Sequence, residues 1–336
     1  MNAEALPAHI PLAVTTRGGR VESIHHGSAV VVDLKGEVRL AFGDSAALTF
    51  TRSSLKPLQA MPFMARHGER HFGFSLAQTA LLCASHSGEP DHVEAVSDML
   101  AQAGNRVEDL QCGTHRPRYF DDLGLLPPAD AEFTALHNNC SGKHAGMLAC
   151  CRLMGVPVKD YLAFDHPLQR EIRAAVAHFC GVPEGALVPG IDGCSAYNYA
   201  VPLVGLARAF ARLASSEPDA RFGDSPQRLF AAMTRHPEMV SGTGRIDLDL
   251  MHAGAGDWVT KIGAEGVYGI GLRELGLGIA IKIADGNARA LGPVAIALLR
   301  RLGVAGAGDR RLLAWARTPQ TNCRARVTGE VHSLLD

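Results

Sequence analysis

What this 336-residue chain lacks narrows its function first. It has no uninterrupted run of about 18 apolar residues, so no membrane-spanning helix is expected. Residues 1–20 do not show a basic start followed by an apolar segment and a small-residue cleavage site, which argues against a secretory signal and for a cytoplasmic protein. Neither sign of charge is in excess. The 33 lysines and arginines face 34 aspartates and glutamates, a net charge of −1, so nothing draws the chain broadly to nucleic acid or to an anionic membrane. The eight cysteines, at 83, 112, 140, 150, 151, 180, 194 and 323, are too sparse for a small disulfide-stapled secreted domain, and most are expected to be reduced. No internal repeat or low-complexity tract stands out. What remains is a globular protein with a small ligand, and 47% hydrophobic content over this length is enough for a large core.

The residue pattern changes character along the chain. LAVTTRG, SAVVVDL and EVRLAFG, between Leu12 and Phe42, are β-branched runs broken by glycine or by the turn DLKGE, and they read as an antiparallel meander. Helical periodicity follows in LKPLQAMPFMARHG, SLAQTALLCASH and DHVEAVSDMLAQAG, the last with Asp91 as expected N-cap and Gly104 as stop. Residues Cys112 to Leu136, rich in proline and aspartate, read as a long loop of the kind that carries function. Helices are expected near 141–154, 166–180, 202–214, 225–236 and 288–302, and strands at 258–262, 267–272, 277–284 and near 324–331. Sheet at both ends around a helical middle predicts an α+β fold in which the terminal segments share one sheet. The first ten residues read as a loose tail.

Polar clusters interrupt this pattern and carry the chemistry. Ser53 and Lys56, in RSSLK, stand three apart at the start of a helix, the spacing at which a lysine can activate a serine without histidine, as in β-lactamases. A bare S-x-x-K arises by chance about once in a chain this size, so the motif gains weight only from its position and from KIG at 261–263, which opens a strand and places a second lysine, Lys261. A neutral Lys56 would be needed, and burial beside Lys261 is a route to one. In SHSGE, Ser85 is placed to pass a proton between lysine and leaving group, although a plain helix-terminal loop would also account for the segment. NNCSGKH and DGCS set Cys140 and Cys194 beside glycine in turn-like segments suited to a metal ligand or nucleophile. By spacing alone, a zinc site there would take Cys140, Cys194 and His144, and a metal-free glycine turn remains the alternative. Cys150 and Cys151, in the helical run AGMLACCRLMG, read as small core side chains.

Taken in order, RSSLKPLQA, CASHSGEP, HNNCSGKHAGML, DGCSAYN and KIGAEGVYG resemble the rhizobial-type L-asparaginases, a family distinct from the bacterial enzymes with threonine nucleophiles. The resemblance spans most of the chain. It implies a serine β-lactamase/glutaminase-like α+β fold, with a mixed sheet flanked by helices and a helical middle region. The whole of 1–336 would be one catalytic unit, sheet at about 12–50 and 257–332 and largely helical at about 54–253. It also implies a homodimer acting on L-asparagine. Ser53 would be the nucleophile with Lys56 beside it, Ser85 a second hydroxyl, Lys261 a further lysine and Asp192 the residue that orients the network. It implies zinc on Cys140, Lys143 and Cys194, which replaces the spacing-based choice of His144 and leaves open whether the metal is obligatory. Arg52, next to the nucleophile, is a candidate bidentate partner for a substrate carboxylate, with a structural ion pair as the alternative; His144 and Glu89 are the other candidate substrate contacts. Two rivals stand beside asparagine hydrolysis: a serine–lysine apparatus can open glutamine or a β-lactam, and a hydrolase-like fold can simply bind an amino acid or a metal.

Overall fold

The computed structural model describes residues 6–304 and 306–335. The predicted meander forms from β1 (Ile10–Arg17), β2 (Arg20–Asp33) and β3 (Val38–Phe42). Gly18 and Gly19, with φ of 54° and 75°, make the two-residue turn between β1 and β2, a conformation that matches the twist of an antiparallel pair. Of the expected N-terminal tail, residues 1–5 lie outside the described residues, and β1 begins at Ile10.

The remaining strands are β4 (Leu48–Phe50), β5 (Val188–Ile191), β6 (Tyr197–Pro202), β7 (Trp258–Gly263), β8 (Val267–Leu272), β9 (Leu277–Ile283), β10 (Arg317–Thr321) and β11 (Val327–Ser333). They form an eight-stranded sheet in the order β10-β11-β1-β2-β9-β8-β7, with β3 also on β2, and a three-stranded sheet β4-β6-β5. The two chain ends do share one sheet, β1 lying between β2 and β11. Every pairing is antiparallel where a mixed sheet had been expected, because the neighbours are joined by hairpins or by long returns through the helical region.

Both faces of the large sheet are covered, and β2 shows this directly. Val30 and Val32 enter the core under the helical region, while Ala29 and Val31 enter the core on the opposite side, as a period of two requires. Helix Leu203–Ala214 lies flat on β8 and β9; a Cβ on Gly278 would collide with the Ala207 carbonyl, so glycine sets that close approach. Helices Leu291–Arg301 and Ile246–Ala253 cover the other face.

Local departures from expectation have local causes. The run LKPLQAMPFMARHG is not one helix but a 3-10 turn, Arg52–Leu55, followed by Lys56–Gln59 and Met61–Ala65, with Pro57 and Pro62 in the first turn of each segment. Helix Pro90–Gln102 is capped by Glu89 rather than Asp91, since Pro90 takes the first helical position. The long loop from Cys112 contains a short helix, Tyr119–Asp122, and folds back so that Tyr119 N–H donates to the Ser87 carbonyl at 3.0 Å. The three-stranded sheet, β10 and helix Ile246–Ala253 were not anticipated; β4 and β5 are short, and β5 carries both Pro189 and Gly190.

Candidate active site

The four polar motifs close into a ring. Lys56 Nζ donates to the Ser85 hydroxyl at 2.9 Å and to the Ala84 carbonyl, which joins RSSLK to SHSGE. His86 Nδ1 accepts from Gly88 N–H at 3.1 Å, so its Nε2–H donates to the Ser141 hydroxyl at 2.9 Å, and His86 N–H donates to the Asn139 carbonyl; these join SHSGE to NNCSGKH. Lys143 Nζ donates to the Cys194 sulfur at 3.0 Å, which reaches DGCS. Arg52 closes the ring, with Nε and Nη2 at 2.9 and 2.8 Å from one oxygen of Asp192. KIG joins from β7: a Cβ on Gly263 would stand 2.8 Å from the Thr51 carbonyl oxygen, so only glycine lets the strand pack onto the turn that carries Ser53.

Ser53 lies inside the 3-10 turn, where residues three apart eclipse, and Lys56 opens the helix that follows. Ser53 is half-buried, whereas Lys56, Ser85 and Lys261 are buried. Arg52, immediately before Ser53, adopts the left-handed conformation at φ 50°, which for a side-chain-bearing residue costs on the order of 1 kcal/mol and is held here by the bond to Asp192. Its guanidinium is therefore already engaged by a carboxylate. Asp192 itself bonds Arg52 and the Gly193 N–H and stands apart from the Lys56 and Ser85 hydrogen bonds.

Lys261 carries a neighbour that no sequence signal announced. Its Nζ lies 3.6 Å from Oδ2 of Asp247, both side chains being fully buried. Burial pushes the Lys261 pKa down to about 7, with Lys56 and Arg245 adding to the effect and Asp247 opposing it. Arg245 Nη1 donates to the Ser85 carbonyl at 2.5 Å. Just before it, Thr243 donates through its N–H and hydroxyl to the Glu89 carboxylate at 2.8 and 3.2 Å. The sequence SGTGR at 241–245 has the glycine-flanked polar character of the other motifs and was the available signal for this loop; Asp247, within IDLDL, had none.

The second lobe of the cluster is sulfur-rich. A hydrogen bond from Cys140, then Lys143 and His144, hold the Cys194 thiol far below its ordinary pKa against the effect of burial, and the Cys140 thiol is raised by that same bond. His144 is buried and lowered to about 4 by burial; its Nδ1 meets the Tyr161 hydroxyl at 2.5 Å. Two sulfurs and one amine converge here, a nitrogen and sulfur donor set of the kind zinc accepts. No group of three or more Cys, His, Asp or Glu among the described residues is arranged to hold a metal, so a site on these residues requires the lysine. All eight cysteines are free, and Cys150 and Cys151 are buried as expected for core residues.

Two surface cavities flank the ring. One, of about 500 Å³, runs from Gly88 along helix Pro90–Gln102 to Tyr119 and Phe133. The other, of about 430 Å³, is lined by Phe50, Arg52, Ile191, Asn198, Glu265 and Lys282. Neither is lined by Ser53, Lys56 or Ser85; Arg52 is the member of RSSLK that reaches the second. No helix among the described residues is long and apolar enough to cross a membrane.

The antiparallel sheet and its flanking helices draw the polar motifs into one cluster. The family model described as L-asparaginase II matches residues 13–333, and the chain belongs to that family. Searched against curated proteins, the sequence has no match. Among solved structures the chain is similar to a putative β-lactamase from Bacteroides dorei, at 11% identity and a TM-score of 0.43 over 82% of this chain and 93% of the other. It is similar also to a β-lactamase from Mycobacterium bovis, at 14% and 0.32 over 82% and 94%. A third likeness is to Mglu in its native form, at 14% and 0.38 over 83% of this chain and 61% of Mglu, so the chain spans less than two thirds of that protein. These likenesses are distant, and the fold class rests on the strand pairings given above.

Proposed function

We propose that the chain hydrolyses L-asparagine to L-aspartate and ammonia through an acyl-enzyme on Ser53. The observation that carries the reading is the hydrogen bond of 2.9 Å from Lys56 Nζ to the Ser85 hydroxyl, one helical turn from Ser53. Ser53 Oγ attacks the side-chain amide carbon, and its proton passes to the lysine pair, Lys56 and Lys261. Lys261, held at about 7 by burial, is the member that stands ready to accept near neutral pH. Ser85 relays a proton to the departing nitrogen, which leaves as ammonia, and water then cleaves the acyl ester to release aspartate and restore the Ser53 hydroxyl. Backbone N–H groups at the start of the Ser53 turn stabilise the developing oxyanion. Arg52 is the substrate-carboxylate contact, exchanging or sharing its bond to Asp192, and Asp192 keeps the Arg52–Ser53 turn in place.

Cys140, Lys143 and Cys194 fit a zinc ion, and when bound it would supply a fixed positive charge that orders the substrate side of the cluster. The protein works in the cytoplasm as a homodimer. The test is ammonia release from L-asparagine by wild type and Ser53→Ala, with glutamine and a chromogenic β-lactam as parallel substrates. Ser53→Ala is expected to lose on the order of 10³-fold or more. Near-normal release by Ser53→Ala would overturn the serine assignment, and a dominant rate on glutamine or the β-lactam would overturn the substrate.

A further inference from the structure

Asp247 is the only carboxylate buried among the described residues, and its burial is complete. It stands in the first turn of helix Ile246–Ala253. Oδ1 accepts from the Thr260 hydroxyl at 2.8 Å, and Ile262 N–H donates to Oδ1 and Oδ2 at 3.2 and 3.1 Å. These bonds tie the helix to β7, the last strand of the large sheet. Along β7 the side chains alternate, Trp258 entering the core on one side and Val259 the core on the other. Lys261 shares the side of Val259, yet its head group turns at the strand edge to within 3.6 Å of Asp247 and donates to the Ile262 carbonyl at 2.9 Å. A carboxylate taken out of water at this depth is sustained only by hydrogen bonds together with a cation.

We propose that Asp247 is the positioning residue for Lys261: it anchors the lysine head group at the edge of β7 and favours its charged form. The proposal rests on the serine–lysine reading for its catalytic consequence, but not for its geometry. The titratable groups that face Lys261 are Asp247 from the helix, Lys56 from the segment after Ser53, Arg245 from the loop before the helix, Cys140 at the start of helix Ser141–Met154, and Cys83 beyond helix Leu76–Leu81. Burial, Lys56 and Arg245 favour the neutral amine, and Asp247 is the carboxylate that works against them. Removing that charge must therefore move the loss of the Lys261 proton to lower pH. Where neutral Lys261 accepts the Ser53 proton, the acid limb of the rate profile, expected near pH 7 in the wild type, moves the same way.

The experiment follows the Lys261 Cε resonance of carbon-13-labelled lysine against pH in wild type and Asp247→Asn, with Lys261→Met for assignment, beside the pH profile of ammonia release. The Asp247→Asn midpoint is expected to fall by about one pH unit or more. An unchanged midpoint in folded Asp247→Asn overturns the proposal. If Asp247→Asn does not fold, thermal unfolding of Asp247→Asn/Lys261→Met decides: a double variant more stable than the single one supports the charge pair. Equal instability overturns it in favour of the Thr260 and Ile262 bonds alone. The titration needs no turnover, so active Ser53→Ala would defeat the proposed function and leave this result standing.

Discussion

Lys143 and Lys261 are both buried within one cluster, at 4% and 0% exposure, and they are driven in opposite directions. Burial works against the charge of each. At Lys143 the sulfurs of Cys194 and Cys140, with Asp192, outweigh burial and hold the pKa above the ordinary lysine value. At Lys261 the single carboxylate of Asp247 is set against burial, Lys56 and Arg245, and the pKa drops to about 7. Two unit charges about 4 Å apart interact by about 4 kcal/mol at an effective dielectric of 20, similar in size to the several kcal/mol of desolvation. With the two effects this close, the signs of the neighbours decide the outcome. The neighbours of Lys143 favour its charged form, and those of Lys261 leave it much closer to neutral.

The strongest way to break this comparison is Lys56→Met, which removes the amine that donates to the Ser85 hydroxyl. Its kcat for ammonia release is expected to fall by about 10²–10⁴-fold, with thermal unfolding confirming that the chain still folds; retained activity would transfer the proton chemistry to Lys261 alone. A smaller loss is expected at the other lysine. Cys194→Ser removes the thiolate that faces Lys143, and zinc content by elemental analysis is expected to fall from stoichiometric to negligible, with a smaller drop in ammonia release than Lys56→Met causes. Full zinc content in Cys194→Ser would separate the two lysines by charge only and not by ligand role. The smallest effect sharpens the packing side. Gly263→Ala places a Cβ 2.8 Å from the Thr51 carbonyl and 3.3 Å from the Ser54 nitrogen, and denaturant unfolding is expected to show a loss of about 1–3 kcal/mol. Unchanged stability would mean that β7 has slack against the Ser53 turn and that Lys261 is placed by Asp247 alone.

Much of this protein was legible locally. The β-branched run of SAVVVDL, the glycine break at 18–19 and the stop at Gly104 act within a few residues, and the elements they specify are present in the structure. The motifs were legible for the same reason: serine three residues before lysine, and cysteine beside glycine, announce their chemistry without reference to the rest of the chain. The helix expected from LKPLQAMPFMARHG failed where two prolines impose their own first turns, a local signal that periodicity overrode. The three-stranded sheet was hidden because its strands are short and lie far apart in the chain, β4 pairing with β6 across some 150 residues.

The sequence by itself determined the chemical types at the site, the β meander and the run of helices around the serine and lysine motifs, and the family. Only the tertiary structure decided the pairings: Lys56 with Ser85, Lys143 with Cys194, Arg52 with Asp192, and Asp247 with Lys261. The reason is physical. A lysine's identity is written at its own position, but its charge is set by dehydration and by groups within about 4 Å, and those groups arrive from distant segments only when the sheet and its covering helices have closed.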